Sequence, residues 1–529
     1  MSFIKSLIIK NTYRDSVFLM KISSQASQLE GVEVASAMMA TERNKDLFKV
    51  AGLYTEELEK ANPDDLAIAV SGANEEILVS AIVEINKMLT ASVKNKADDN
   101  SKEITRLEHA LLENNGLNLV LISVAGDYAK YEAAKALAKG LNVMLYSDNI
   151  SLEDELRLKK MAQSRGLMVM GPDCGTAILN GVPLAFANKV SLGNIGIVGA
   201  SGTGIQEVSC LIDALGQGIS QAIGTGGRDL KDAIGGITAL TGLDYLLNDR
   251  QTKVIVLISK PPGEKVREKI CSIINKSRKP FVVYYAGCED YAPEKAAGAI
   301  VTSTLEETAI RAAALITSSK ENIETAAAIS DDNAYGLLLE KGRKQVVSGK
   351  YLRGIFGGGS LCYEAMNVLR DLLPQEELYS NIPLQGINPL KDILSSQKHT
   401  FLDMGEDEFT VGKPHPMIDP TVKNKRLYRE ILDPETAVVI FDVVIGYGSH
   451  PDPAGEIVQV INNAKAEKSG SLGVSLIASV CGTDNDIPSR KEQVAKLVEA
   501  GVIVMPSNAH AAKLAGGLIN KIKGGLNDV

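Results

Sequence analysis

Three short glycine-rich segments hold the residues best suited to chemistry: 199–204 (GASGTG), 224–228 (GTGGR) and 357–360 (GGGS). Each follows or ends an apolar run, and 199–204 and 357–360 lead straight into a helical pattern. A strand that ends in a small-residue turn and starts a helix aims free backbone N–H groups at one point. The helix dipole adds partial positive charge there, so a phosphate or another small anion is held. Ser201, Gly202 and Thr203 form the first cradle, Gly224, Thr225, Gly226 and Gly227 the second, and Gly358, Gly359 and Ser360 the third. Glycine lets the backbone approach the ligand closely, and the hydroxyls of Ser201, Thr203, Thr225 and Ser360 add donors. None of the segments reads as a nucleotide fingerprint: there is no GxxxxGK[ST], and 199–204 is GxxGxG, not GxGxxG. Tight strand–helix packing, with glycine needed only for space, is the competing reading. The first two segments follow successive strands, so both can open on one crevice at the strand carboxyl ends.

Cations and acid–base groups near these loops are few. Arg228 ends the second segment, and Lys260 follows the strand pattern 254–258. His415 and His450 each precede a proline (KPHP and SHPDP) in what reads as loop. There they can bind a carboxylate or relay a proton, or stand as solvated histidines in stiffened turns. The acidic run 405–408 (GEDE) reads as a solvated turn, and Cys174 as a weak candidate nucleophile with no histidine near it in sequence. Six cysteines without a CxxC pair and five scattered histidines point to no metal site, and no cofactor is expected.

These residues are carried by 529 residues with 45% hydrophobic and 23% charged side chains, enough for several packed domains. A net charge of −9 argues against general binding to nucleic acid or anionic membrane. No apolar run spans a bilayer and no signal peptide is evident. Unpaired cysteines fit a reducing compartment, so a cytoplasmic location is expected. β-Branched runs alternate with helical patterns almost throughout, which predicts α/β architecture with parallel sheets. A small α/β unit is expected over 1–95, either ferredoxin-like or the start of a wound sheet. Further units are expected over 100–190, 191–320 and 335–529, with linkers at 94–102 and 317–334. The third and fourth units repeat the order strand, glycine-rich turn, helix, which reads as an internal duplication.

From Gly171 to about Ile300 the chain resembles the α subunit of succinyl-CoA synthetase. GPDCGTAI is similar to that family's GPNCPG turn, IGIVGASGT to its IGIVSRSGT phosphate loop, and AIGTGGRD to its GIGGDP loop. The resemblance implies a Rossmann-like CoA-binding domain followed by flavodoxin-like ligase domains. It also implies Ser201, Gly202 and Thr203 as phosphate-loop residues, with Gly226 and Gly227 nearby. Two departures alter the chemistry. The family's phosphohistidine segment GHAGAI is matched by residues 295–300 (KAAGAI), with alanine in the histidine position. Its supporting glutamate is matched by Lys260. Alanine is neither nucleophile nor leaving group, so a phosphohistidine relay is excluded. No ATP-grasp pattern and no amino-terminal CoA-binding turn is evident either.

Over its whole length, including GYGSHPDP and the second ligase-like block, the chain resembles the FdrA family, often labelled acyl-CoA synthetase. That resemblance implies a subunit of oxamate carbamoyltransferase in allantoin breakdown. It would act with two companion proteins to convert oxalurate and phosphate to oxamate and carbamoyl phosphate. In this reading Ser201, Gly202, Thr203 and residues 224–227 hold the phosphate end of carbamoyl phosphate, and Lys260 or Arg228 neutralises its charge. Such transfer needs an anion cradle and alignment of two substrates but no phosphoenzyme. The alternatives are an acyl-CoA synthetase or CoA transferase, and a non-catalytic scaffold subunit.

Overall fold

The computed structural model describes residues 3–14, 16–27, 29–94, 104–124, 126–317, 332–410 and 413–524. The expected linkers at 94–102 and 317–334 lie almost wholly outside these residues. The first unit is a three-stranded sheet of β1 (Phe3–Ile9), β2 (Val32–Met39) and β3 (Leu66–Gly72), in the order β1-β3-β2. Both pairings are antiparallel, so this is not the start of a wound sheet. β3, rich in Ala, Ile and Val, is buried along its whole length because helices and the other two strands enclose it. The second unit pairs β4 (Leu119–Ile122), β5 (Asn142–Leu145) and β6 (Val169–Met170) in parallel.

Two seven-stranded sheets make up the rest. One holds β7 (Thr176–Leu179), β8 (Val182–Ala185), β9 (Leu192–Gly199), β10 (Ile219–Gly224), β11 (Val254–Ser259), β12 (Phe281–Tyr285) and β13 (Ile300–Val301). Its order is β13-β12-β11-β9-β10-β7-β8. β7 and β8 fall within 100–190, the range expected for the second unit, yet they extend this third sheet by antiparallel pairing to β10. The other sheet holds β14 (Tyr351–Phe356), β15 (Leu378–Ser380), β16 (Asn388–Pro389), β17 (His399–Asp403), β18 (Thr436–Val444), β19 (Ser475–Cys481) and β20 (Ile503–Met505). Its order is β16-β15-β17-β14-β18-β19-β20.

The parallel cores of the two sheets have one plan. β10-β9-β11-β12-β13 and β17-β14-β18-β19-β20 both follow the flavodoxin-like order 2-1-3-4-5. In both, the central strand runs through a glycine-rich turn into a buried helix, Gly202–Ala214 or Gly359–Leu372. The internal duplication read from the sequence is therefore present at the level of topology. Each half closes with a helix after its last strand, Leu305–Thr317 or Asn508–Gly524.

The halves are locked by reciprocal caps. Glu207 and Glu364 each sit five residues beyond the start of their helix. Glu364 accepts the Leu305 N–H of the other half's closing helix at 2.6 Å. Glu207 accepts the Asn508 N–H at 3.3 Å, and the Asn508 side chain donates back to Glu364 at 2.7 Å. One buried apolar cluster, including Ile197, Val256, Phe356 and Ile440, runs through both sheets.

Candidate functional site

Because the halves meet face to face, the N-termini of the Gly202–Ala214 and Gly359–Leu372 helices point at one another. The Ser201 and Ser360 hydroxyls are hydrogen-bonded across the junction. The two turns are in close contact: a Cβ on Gly358 would lie 3.1 Å from Thr203 Cβ. Ser201 caps its own helix by accepting the Gly204 N–H at 3.1 Å, while the Ile205 N–H goes to the Ser201 carbonyl. That leaves the Gly202 and Thr203 N–H groups without a protein partner among the described residues. In the second helix the Leu361 and Cys362 N–H groups go to the Gly358 carbonyl, leaving those of Gly359 and Ser360. All four residues wall a cavity of about 660 Å³. Two helix N-termini and four unpartnered N–H groups border it, an arrangement of the kind that can hold a small anion.

Loops from the carboxyl ends of β4, β5, β6, β9, β10, β11, β14 and β17 contribute to the cavity, so three sheets line it. Lys260, at the end of β11, lines the cavity with its Nζ 4.6 Å from the centre of the Tyr363 ring. Asp403, the last residue of β17, is buried against Gly359 and accepts the Gly405 N–H at 2.9 Å. Burial first, and then the charges of Glu406 and Asp442, push its pKa up to about 7. Asp173 lines the cavity, with its side chain exposed there. Desolvation among the crowded groups there, and then the charge of Asp148, push its pKa up to about 7. His415 is the reverse case: enclosure lowers its pKa to about 4. Its Nδ1 accepts the Met417 N–H at 3.2 Å, so the neutral ring carries its proton on Nε2 and presents a donor.

The other expected residues lie differently. Gly224 and Gly226 are packing glycines, since a Cβ would lie 2.4 Å from the Thr176 carbonyl or 2.1 Å from the Pro172 carbonyl. Thr225 is fully buried, and its hydroxyl donates to the Gly226 carbonyl. The space-filling reading is therefore the correct one for these three, and only Gly227 and Arg228 reach the cavity. Arg228 is committed elsewhere as well. Its guanidinium is 2.9 Å from Glu155, which pairs with buried Lys159, itself 2.6 Å from Asp229. This network ties the second unit to the third. Gly358 does not offer its N–H to a ligand, because the fully buried Asp442 takes it at 2.8 Å, together with that of Gly357. Lys423 in turn pairs with Asp442.

His450 is off the cavity wall, its Nδ1 accepting the Asp452 N–H at 3.1 Å. Cys174 is sealed in, and burial pushes its thiol up to about 12, which removes it as a nucleophile. Residues 295–300, which match the phosphohistidine segment, do not line the cavity either. The sequence reading missed Asp403 because β17 was not recognised; a strand end just before the 405–408 acidic turn was the available signal. It also missed Asp442 and Gln206, which sit within an apolar strand and a helix and carry no local signature.

The two parallel halves have the fold of CoA-binding and CoA-ligase domains of the succinate–CoA ligase type. Family models agree: a CoA binding domain matches residues 190–287 and a CoA-ligase domain matches 355–518. The CoA-binding match falls on the third unit. Residues 1–106 match the model "AllF, heavy metal-associated domain". They contain no cysteine and no histidine, so they do not fit a heavy-metal site. Subunit alpha 2 of the ADP-forming succinate–CoA ligase of Archaeoglobus fulgidus is 29% identical over 174 residues, 32% of this chain and 59% of that protein. A dinucleotide-forming acetyl-coenzyme A synthetase from Ca. Korarchaeum cryptofilum, 18% identical, covers 77% of this chain and 83% of its own with a TM-score of 0.28. The uncharacterised protein YahF of Escherichia coli K12 is 44% identical over 513 residues, 97% of this chain and 98% of YahF. This chain belongs to the YahF family. No helix among the described residues is long and apolar enough to cross a membrane.

Proposed function

We propose that this chain is an acyl-transfer enzyme built on the succinate–CoA ligase fold, in which bound phosphate reacts directly with a carbonyl carbon. The observation that carries the reading is the pair of opposed helix N-termini, whose four free N–H groups open into a cavity large enough for two small substrates. A phosphate held there needs no histidine to carry it, in keeping with alanine in the relay position.

The specific reaction we favour, on the resemblance to the FdrA family, is carbamoyl transfer from oxalurate to phosphate with two companion subunits. A phosphate oxygen attacks the carbamoyl carbon, the C–N bond breaks, and oxamate leaves as carbamoyl phosphate forms. The proton that phosphate gives up is the one the departing amide nitrogen requires. Asp403, with a pKa of about 7 beside Gly359, is suited to pass it across. The His415 Nε2–H and Lys260 stabilise the charge that develops on the carbonyl oxygen and the phosphate.

The CoA-binding and CoA-ligase matches favour a second reading, acyl-CoA formation, in which a CoA thiol attacks an acyl phosphate in the same cavity. One assay separates the two. The chain is given oxalurate and phosphate, alone and with its companion subunits, and oxamate and carbamoyl phosphate are measured. A parallel arm supplies acyl phosphates and CoA. Thioester without oxamate overturns the carbamoyl reading. No product in any combination overturns both and leaves a scaffold.

A further inference from the structure

Two opposed demands meet in the cavity between the halves. The unpartnered N–H groups at its border suit an anion, yet the wall around them is acidic. Among the described residues Asp148, Asp173, Asp403, Glu406 and Asp407 line it. Against them stand two cations, Lys260 and Arg228, and Arg228 is already paired with Glu155. With every one of these carboxyls ionised, the wall repels an entering anion. A proton taken up by the wall relieves that repulsion, and the geometry singles out where.

Asp173 is exposed to the cavity, whereas Pro172 and Cys174 on either side of it are buried. Its backbone has φ +58°, in the left-handed region where asparagine and aspartate are the most tolerated residues after glycine. Its Oδ2 lies 3.7 Å from where a Cβ on Gly227 would stand, so the carboxyl sits beside the second glycine-rich segment. Asp148 from the turn after β5, and Glu406 and Asp407 from the turn after β17, face it with like charge, and Arg228 faces it with the opposite one. Nearby Tyr146 and Cys174 are kept neutral by burial. The GPNCPG turn that this segment resembles has asparagine where Asp173 stands. The two side chains share a shape and a backbone preference, but only the carboxyl takes up and releases a proton.

Its pKa of about 7 leaves Asp173 about half protonated near neutrality. A unit negative charge about 10 Å away, through an effective dielectric near about 20, raises the proton affinity of a carboxyl about tenfold. Coupling is reciprocal, so a proton on Asp173 tightens the anion by the same factor.

We propose that Asp173 is a proton-linked binding residue of the cavity: it takes a proton from solvent as an anion enters, so the ligand meets a neutral carboxyl and not a further negative charge. This rests on the reading above that the cavity holds an anion, and it adds how that anion is admitted.

The test uses the full-length chain and sulfate, a tetrahedral dianion with no proton of its own near neutrality, so that any proton taken up belongs to the protein. Calorimetry in two buffers of different ionisation enthalpy counts protons bound per sulfate. Uptake is expected at about pH 7, with about 0.4 proton from Asp173 for a tenfold coupling. Through Asp173 alone, sulfate affinity is expected to fall about tenfold as pH rises from about 5 to about 9. Asp173→Asn is expected to lose that share of the uptake and, above about pH 7, to bind sulfate more tightly than the unmodified chain, since a neutral amide replaces a carboxylate. A merely structural role would weaken binding at every pH. Asp403→Asn leaves the Asp173 share in place and keeps the test open should the first variant not fold. Sulfate bound with no proton uptake, or with uptake unchanged in Asp173→Asn or abolished in Asp403→Asn, overturns the role of Asp173 and leaves the anion site standing. Failure to bind sulfate at any pH overturns the anion reading itself, and this inference with it.

Discussion

In the proposed reaction Asp403, buried beside Gly359 with its pKa pushed up to about 7, is the side chain that gives and takes the proton. Transfer that uses the protonated carboxyl slows as pH rises through about 7, and Asp403→Asn is expected to lower kcat by roughly 10²–10⁴ and to flatten that limb of the pH profile. In the proposed reaction His415 is a neutral donor, so Gln, which keeps an N–H, should be tolerated there. His415→Phe should lose roughly 10²-fold in kcat, as removal of one donor to a developing oxyanion does. Lys260→Glu puts a negative charge beside the anion site and is expected to abolish phosphate binding in a direct titration; unchanged binding would remove its assigned role. That Ser201, Gly202, Thr203, Gly359 and Ser360 lie at turns opening a helix was legible in the sequence because the turn-to-helix pattern is local. Asp403 was not, since what makes it special is burial and partners that come from elements far away in the chain.

The second glycine-rich segment gains its meaning from the element it joins. The helix Leu152–Gln163 of the second unit brings Glu155 and Lys159 to Asp229, and Asp229 also caps the helix Ile237–Asn248 through the Thr238 and Ala239 N–H groups. Lys159→Met would leave two buried carboxylates with one partner fewer. It is expected to destabilise the chain by about 3–5 kcal/mol, seen as a lowered thermal midpoint. Most long strands were readable from their β-branched runs, β10, β11 and β19 among them. β7, β8, β15 and β16 were not. They are two to four residues long and owe their existence to edge pairing, which leaves no periodic signal.

Across the whole molecule the two flavodoxin-like halves share one seam, and the seam is acidic. Burial, with Glu207 nearby, raises the Glu364 pKa to about 8. A carboxyl whose pKa is raised on folding stabilises most below its unfolded value and loses that contribution as pH climbs through the folded one. Glu364 therefore weakens the fold progressively between about pH 4.5 and 8, at up to about 1.4 kcal/mol per pH unit. Urea midpoints should fall over this window in the unmodified chain and fall less in Glu364→Gln. The duplication behind this seam was visible in the sequence as a repeated strand, glycine turn and helix, but the face-to-face docking was not. The exchanged caps have a consequence for how such a chain can be divided or inherited. Neither half owns the group that finishes its own last helix, so a gene fragment encoding one half would yield an unsealed, sticky body. Two fragments made together, cut within residues 318–331, should find each other and refold as a pair. By its exchanged caps the chain is expected to behave as an obligate heterodimer written as one polypeptide.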